Sequence, residues 1–150
     1  MSNHLLLTLH RDSDGTGELV AQVCANGFSG LGSAWFNLEA IDAFGRTLSE
    51  SFPLCAGPAS ELKGGFWSSQ QPNTIEQVHL GIRFYPIGST GLVGCRVELA
   101  TPKHQQDRAD SIHSVAVELH TYYEQLRSFG LSLSDLANGT VTETILQTSA

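Results

Sequence analysis

The pattern of hydrophobic and polar positions predicts a series of β-strands, because apolar and polar residues alternate over most of the chain. The clearest case is residues 77–85, where Val78, Leu80, Ile82 and Phe84 share one face. Further strands are predicted at 18–26, 28–36, 61–67, 92–100 and 111–120. Residues 4–10 form either a first strand or an apolar lead-in. Short connections between the last three long strands favour antiparallel pairing.

A helical stripe follows the strand at 28–36. Ile41, Phe44, Leu48 and Phe52 recur at spacings of three, four and four residues, which places them on one helix face. Asn37 precedes the stripe as an N-cap, so a helix is predicted over 37–52. The small residues at positions 30, 32 and 34 indicate that another element approaches closely, and this helix is the natural candidate.

A second helix is predicted at 122–129. Thr121 and Glu124 form a Thr-x-x-Glu capping box before it, and Gly130 is the expected C-cap. One further helical turn is expected near 134–137, and residues 138–150 lack a core stripe, so they are expected to form a loosely held tail.

These elements predict an α+β fold in a single domain over residues 1–150. A mostly antiparallel sheet of about five to six strands is expected, with two helices packed on one face. No internal repeat is visible in the sequence.

Composition and charge narrow the classes of partner. The net charge is −7, from 15 acidic and 8 basic residues, which disfavours nucleic acids and anionic membranes as partners. No stretch approaches the ~18 apolar residues of a membrane span, and the run at Leu5–Leu7 is too short for a secretory signal. Cys24, Cys55 and Cys95 form no Cys-x-x-Cys pair, which favours free thiols in the reducing cytoplasm.

Acidic residues cluster at the first turn and along the outer side of the first helix. This cluster is either a solvated face or a binding surface for a basic protein. Two aromatic residues on strands with a solvent-facing side are candidate anchors for such a partner. The candidate binding residues are Asp12, Asp14, Glu18, Glu39, Asp42, Trp67 and Tyr85.

Two alternative interpretations remain: a small metal-dependent hydrolase using His79, His113 or His120 with Glu118, and a generic ligand-binding or subunit domain. His113 and His120 are seven residues apart in one predicted strand, so they point to opposite faces. No zinc-ligand spacing is present. We therefore expect a protein that is not an enzyme and that has no catalytic residues, metal or cofactor.

Two segments carry a family resemblance. They are the strand-to-helix sequence LEAIDAFGRTL at 38–48 and the final strand with its helix, VAVELHTYYEQL at 115–126. Over roughly residues 19–130 the chain resembles the WapI-type family of bacterial immunity-like proteins, small domains found beside polymorphic toxins. The chain departs from that family at Leu119-His120, where an acid is usual, and at Tyr123, where Leu is common. The resemblance implies a cytoplasmic protein that binds and neutralises a toxin domain.

Overall fold

The computed structural model describes residues 2–55, 57 and 60–149, and within them it contains eight strands and two α-helices. The order is β1 (His4–Arg11), β2 (Thr16–Ala25), β3 (Phe28–Asn37), α1 (Leu38–Glu50), β4 (Glu61–Trp67), β5 (Ile75–Ile87), β6 (Leu92–Ala100), β7 (Ser114–Tyr122), α2 (Tyr123–Asn138) and β8 (Glu143–Gln147). A short 3₁₀ turn at Ala109–Ser111 precedes β7.

The strands form two four-stranded antiparallel sheets. The first sheet has the order β3-β2-β1-β8 and the second has the order β4-β5-β6-β7. The predicted α+β class is confirmed, but the prediction of one sheet with five to six strands is wrong. Alternation shows which face of a strand is buried and not which strand lies beside it, so it cannot reveal that the chain starts a new sheet after α1.

Helix α1 buries the predicted stripe. Ile41, Phe44 and Leu48 are buried, and Asn37 stands at the N-cap position without a side-chain cap bond. The helix ends at Glu50, so Phe52 falls outside the stripe and is 77% exposed. Its ring meets Tyr123 edge-on, with ring centroids 4.7 Å apart.

Helix α2 is longer than predicted and has different ends. Thr121 belongs to β7 and is fully buried, so it is not a cap, and α2 continues through Gly130 to Asn138. Gly139, in the left-handed conformation, ends the helix. Gly130 is needed for another reason: a Cβ there would collide with the Gly45 carbonyl oxygen, so this glycine lets the two helices touch.

One hydrophobic core joins both sheets and both helices. At its centre Phe84 of β5 lies between Phe44 and Phe129, with ring centroids 6.1 Å and 6.0 Å away. Strand β3 crosses the inner face of the second sheet, and a Cβ at Gly32 would lie 3.1 Å from the Cβ of Leu99. The small residues of β3 are therefore covered by the second sheet, and the prediction that α1 covers them is wrong.

The two halves of the chain repeat one plan, which the sequence analysis missed. Each half is a three-strand meander, a helix, and a strand that crosses to the sheet of the other half: β4 joins β5, and β8 joins β1. Counted from the first residue of each helix, the matching pairs are Glu39 and Glu124, Ile41 and Leu126, Phe44 and Phe129, Gly45 and Gly130, and Leu48 and Leu133. The plan is a pseudo-twofold arrangement with exchanged fourth strands.

The C-terminal segment also differs from the expectation. Residues 138–150 were expected to be a loosely held tail, yet they include β8, which pairs with β1 and buries Leu146 completely. Its pattern was hard to see because a five-residue edge strand places only Thr144 and Leu146 in the core. None of the described helices is long and apolar enough to cross a membrane.

Candidate functional site

A cleft of about 580 Å³ opens between the end of β3 and the edge of β4, beside the start of α1. Its walls include Trp35, Phe36 and Asn37 from β3 and Leu62 and Trp67 from β4. These are the two tryptophans of the chain, and they are 56% and 50% exposed. We call this feature the tryptophan cleft.

The exposure of Trp35 follows from its place in β3. It alternates with Ala34 and Phe36, whose side chains are buried against the second sheet, so its ring points to the outer face. Its partner across the ladder is Glu18 of β2. Single exposed apolar residues are normal on monomeric proteins, so the ring points to an interaction only because Trp67 adjoins the same cleft.

Acidic groups lie next to several residues that line the cleft. Glu18 accepts a hydrogen bond from the Ser33 hydroxyl at 3.0 Å, which holds the carboxylate on the face that carries Trp35. Glu39 is exposed in the first turn of α1, next to the cleft residue Ala40.

The β1–β2 turn brings a further carboxylate to the cleft. Asp14 accepts hydrogen bonds from the backbone N–H and the hydroxyl of Thr16, which itself lines the cleft. The hydroxyl bond is the main cause that lowers the Asp14 pKa. On the β4 side the Oε1 atom of Glu61 lies 3.8 Å from the Nζ atom of Lys63. The basic residue among the described lining residues therefore has an acidic neighbour.

The structure gathers part of the predicted binding surface. Trp67 lines the cleft, while Asp14, Glu18 and Glu39 each adjoin a residue that lines it. Asp12 lies in the same turn as Asp14, where its carboxylate accepts a bond from the Ser13 N–H. Trp35 is not among the predicted binding residues, although a tryptophan that alternates with the apolar Ala34 and Phe36 indicates an outward ring.

Two predicted binding residues lie elsewhere. Asp42 forms a 3.1 Å ion pair with Arg46, and its backbone carbonyl accepts the Ser134 hydroxyl of α2, so it lies on the helix–helix side. Tyr85 lies on the outer face of the second sheet and donates a hydrogen bond to Glu118.

That outer face is strongly charged. A row across its four strands consists of Glu61, Arg83, Arg96 and Glu118 in register. The hydrogen bond from Tyr85 is the main cause that lowers the pKa of Glu118, while desolvation is the main cause that raises the pKa of Tyr85. The charges of this face largely neutralise one another within the row.

The residues of the hydrolase alternative are only partly together. The Nε2 atom of His120 lies 2.8 Å from Glu118, in an exposed carboxylate–imidazole pair. His79 is buried and contacts Gln77, and His113 is exposed ahead of β7. In the described part of the chain, no three His, Cys, Asp or Glu side chains are grouped as metal ligands.

The cysteines occupy ordinary positions for free thiols. Cys24 and Cys95 are buried and Cys55 is exposed. Burial raises the pKa of Cys95, so its thiol stays protonated and unreactive at neutral pH.

Comparisons of the chain with protein-family models, with curated proteins and with solved structures found no significant match. The resemblance to the WapI-type family therefore remains a hypothesis. The function has to be inferred from the tryptophan cleft and its charges.

Proposed function

We propose that this chain is a non-catalytic binding protein that holds a basic protein partner at the tryptophan cleft. The observation that carries this proposal is the exposure of both tryptophans in one cleft of about 580 Å³. Tryptophan is enriched among residues that dominate binding energy, since its large surface becomes desolvated in the complex. Two large apolar rings that converge in one cleft are typical of an interaction site, whereas single exposed apolar residues are not.

The charges near the cleft favour a partner with a basic binding surface. Among the described residues that line the cleft, Glu61 and Lys63 are the charged ones, and they offset each other. Three further carboxylates adjoin lining residues: Glu18 is opposite Trp35, Asp14 is bonded to Thr16, and Glu39 precedes Ala40. The whole chain carries a net charge of −7. Such a field accelerates association with a basic surface and loses its effect as salt shortens the Debye length, from ~10 Å at 0.1 M to ~3 Å at 1 M.

The most concrete partner is a toxin domain that the chain neutralises by covering its active surface. The segments at 38–48 and 115–126 support this, through their resemblance to immunity-like proteins. The proposed role needs no catalytic residues in this chain, because a bound protein blocks a toxin by occupying its surface.

The first test measures the affinity of the purified chain for the protein that the neighbouring gene encodes, which this proposal expects to be a toxin domain. Trp35→Ala should weaken binding about thirty-fold, the effect of losing a contact worth about 2 kcal/mol. Leu31→Ala is the matched control, because Leu31 is 68% exposed on the same face of β3 but does not line the cleft. Equal losses in both variants, or no binding by the native chain, would refute the proposal.

The second test measures association rates at low and high salt. Glu39→Lys should slow association, and the difference should shrink at high salt. Glu124→Lys makes the same charge change at the matching position of α2, away from the tryptophan cleft, so it should slow association less. If the two variants behave alike, only the net charge matters and the acidic border of the cleft has no specific part.

A further inference from the structure

The pseudo-twofold plan brings the crossing strand of each half close to the last strand of a meander. This happens at two corresponding places, which we call seams: β8 lies near β7, and β4 lies near β3. The seam between β8 and β7 is closed by hydrogen bonds. The backbone N–H of Ser149, just beyond β8, donates to the carbonyl oxygen of His120 at 2.9 Å. The hydroxyl of Thr121 donates to the carbonyl oxygen of Gln147 at 2.8 Å. An extended segment of the chain thus covers the free edge of β7.

The seam between β4 and β3 is open. Trp35 and Phe36 occupy the places of His120 and Thr121, because each pair stands at the same distance before its helix. Phe36 has no hydroxyl to donate, and its ring lies over Gly64, whose Cβ would be 2.8 Å from the Phe36 Cζ. Of the described strands, β3 and β4 are not paired, and the tryptophan cleft lies between them.

The backbone of Trp35 faces this cleft. The N–H of Leu38 donates to the carbonyl oxygen of Gly15 at 2.9 Å, which continues the β2–β3 register one step beyond the strand pair. In an antiparallel pair, hydrogen-bonded and outward-facing positions alternate. Phe36 is therefore bonded to β2, and the N–H and carbonyl groups of Trp35 point away from it. The carbonyl of His120 has the same orientation, since it accepts from Ser149.

We infer that the partner, if it binds as proposed above, enters the tryptophan cleft as an extended segment that pairs with the free edge of β3 at Trp35. One of its backbone N–H groups donates to the Trp35 carbonyl, as Ser149 does to His120 in the closed seam. Edge-strand pairing supplies affinity from the main chain, and side-chain contacts supply the selectivity.

The side chains around the cleft specify a basic segment. Lys or Arg side chains are favoured there, since cations are attracted both to indole faces and to acids. Glu18 stands across the ladder from Trp35, and Glu39 lies in the first turn of α1 beside the cleft residue Ala40. A Glu- or Asp-bearing segment would instead face carboxylates of like charge.

A peptide probe tests this without the natural partner. The probe is a decapeptide of alternating Lys and Val, which has no tryptophan. Both tryptophans of the chain line the cleft, so its intrinsic fluorescence reports on that site directly. We expect saturable binding that is at least ten-fold weaker for a decapeptide with Glu in place of Lys. Two further peptides carry N-methyl groups on alternate residues, one on the odd and one on the even positions. Each keeps the charges and side chains but loses the backbone N–H donors along one edge. The peptide that loses the donors facing β3 should bind at least ten-fold more weakly than the other.

The outcomes separate the inference from the proposed function. No binding of the Lys–Val peptide, or equal binding of both N-methylated forms, overturns strand pairing at β3. With the toxin-like protein as ligand, the exchange of the Trp35 backbone amide should slow on binding. Binding without that protection refutes the extended-segment mode and leaves the proposed function standing. If the peptide binds as expected and the toxin-like protein does not, the proposed partner is wrong and the strand-binding site remains.

Discussion

The closest helix contact in this fold gives its sharpest stability prediction. Helices α1 and α2 touch backbone to backbone at Gly45 and Gly130. A Cβ at Gly45 would lie 2.6 Å from the Gly130 carbonyl oxygen and 2.9 Å from the Ser134 hydroxyl oxygen. The first neighbour is backbone, so the methyl group of Gly45→Ala can be accommodated only if the helices move apart.

Two opposite effects determine how Gly45→Ala changes the free energy of unfolding. Alanine in place of glycine favours a helix by about 1 kcal/mol. Carbon–oxygen contacts normally lie at about 3.3–3.6 Å, so the helices must separate by roughly 0.7 Å or more, and a gap of 0.5–1 Å forfeits a quarter to a half of the dispersion energy at each contact. Overpacking of this kind costs about 1–3 kcal/mol. Because the clash is with backbone, we take about 3 kcal/mol for the overpacking, and the helix propensity of alanine offsets about 1 kcal/mol of it. We therefore expect Gly45→Ala to destabilise the fold by ~2 kcal/mol net.

Urea and thermal unfolding measure this change. A loss of ~2 kcal/mol corresponds to a fall in Tm of about 4–8 °C for a domain of this size. Ala43→Gly, at an exposed position of the same helix, measures the propensity effect alone and should cost about 1 kcal/mol. Gly130→Ala should destabilise as well, and the double variant should lose less than the sum, because the first methyl group already separates the helices.

A stabilising Gly45→Ala would contradict this reasoning. If the gain equals the loss in Ala43→Gly, only helix propensity is acting and the helices are not in tight contact. Additive losses in the double variant would show that the two glycines do not share one crossing.

Two predictions concern titration. Tyr85→Phe removes the hydrogen bond that chiefly lowers the pKa of Glu118, so an NMR titration should find that pKa raised toward its ordinary value; an unchanged pKa would show that this bond does not form in solution. Burial lowers the pKa of His79 below 6.5, so the unfolded chain binds its proton more readily, and the free energy of unfolding should fall as the pH drops through and below 6.5. His79→Gln should flatten that dependence.

The sequence predicts the helices and strands of this fold where one face of the element is buried and the opposite face is solvated. Ile41, Phe44 and Leu48 give the face of α1 because the opposite face is solvated, and the long strands are visible for the same reason. Gly130 shows the limit of this reasoning. A glycine near the end of an apolar stripe has the same pattern whether it ends a helix or lets a second helix approach, and only the position of Gly45 decides between the two.

The candidate site was predictable only in part because it lies between two sheets. The carboxylates of Asp14 and Glu18 are close in sequence, so their cluster was visible. The tryptophan cleft needs the ends of β3 and β4 side by side, which depends on how the sheets pack. Trp35 and Trp67 therefore become one site only in three dimensions.

The exchange of fourth strands has a consequence for the order in which the protein can form during synthesis. Strand β1 becomes an interior strand only when β8 pairs with it, and β8 is synthesised after the other seven described strands. Until then the nascent chain carries a three-stranded sheet with two open edges, which is the kind of intermediate that self-associates. The pairing of β1 with β8 also spans nearly the whole described chain, and contacts of such long range slow folding. The closing of the first sheet is therefore a late event, and the edge of β1 stays open to wrong pairing until β8 reaches it.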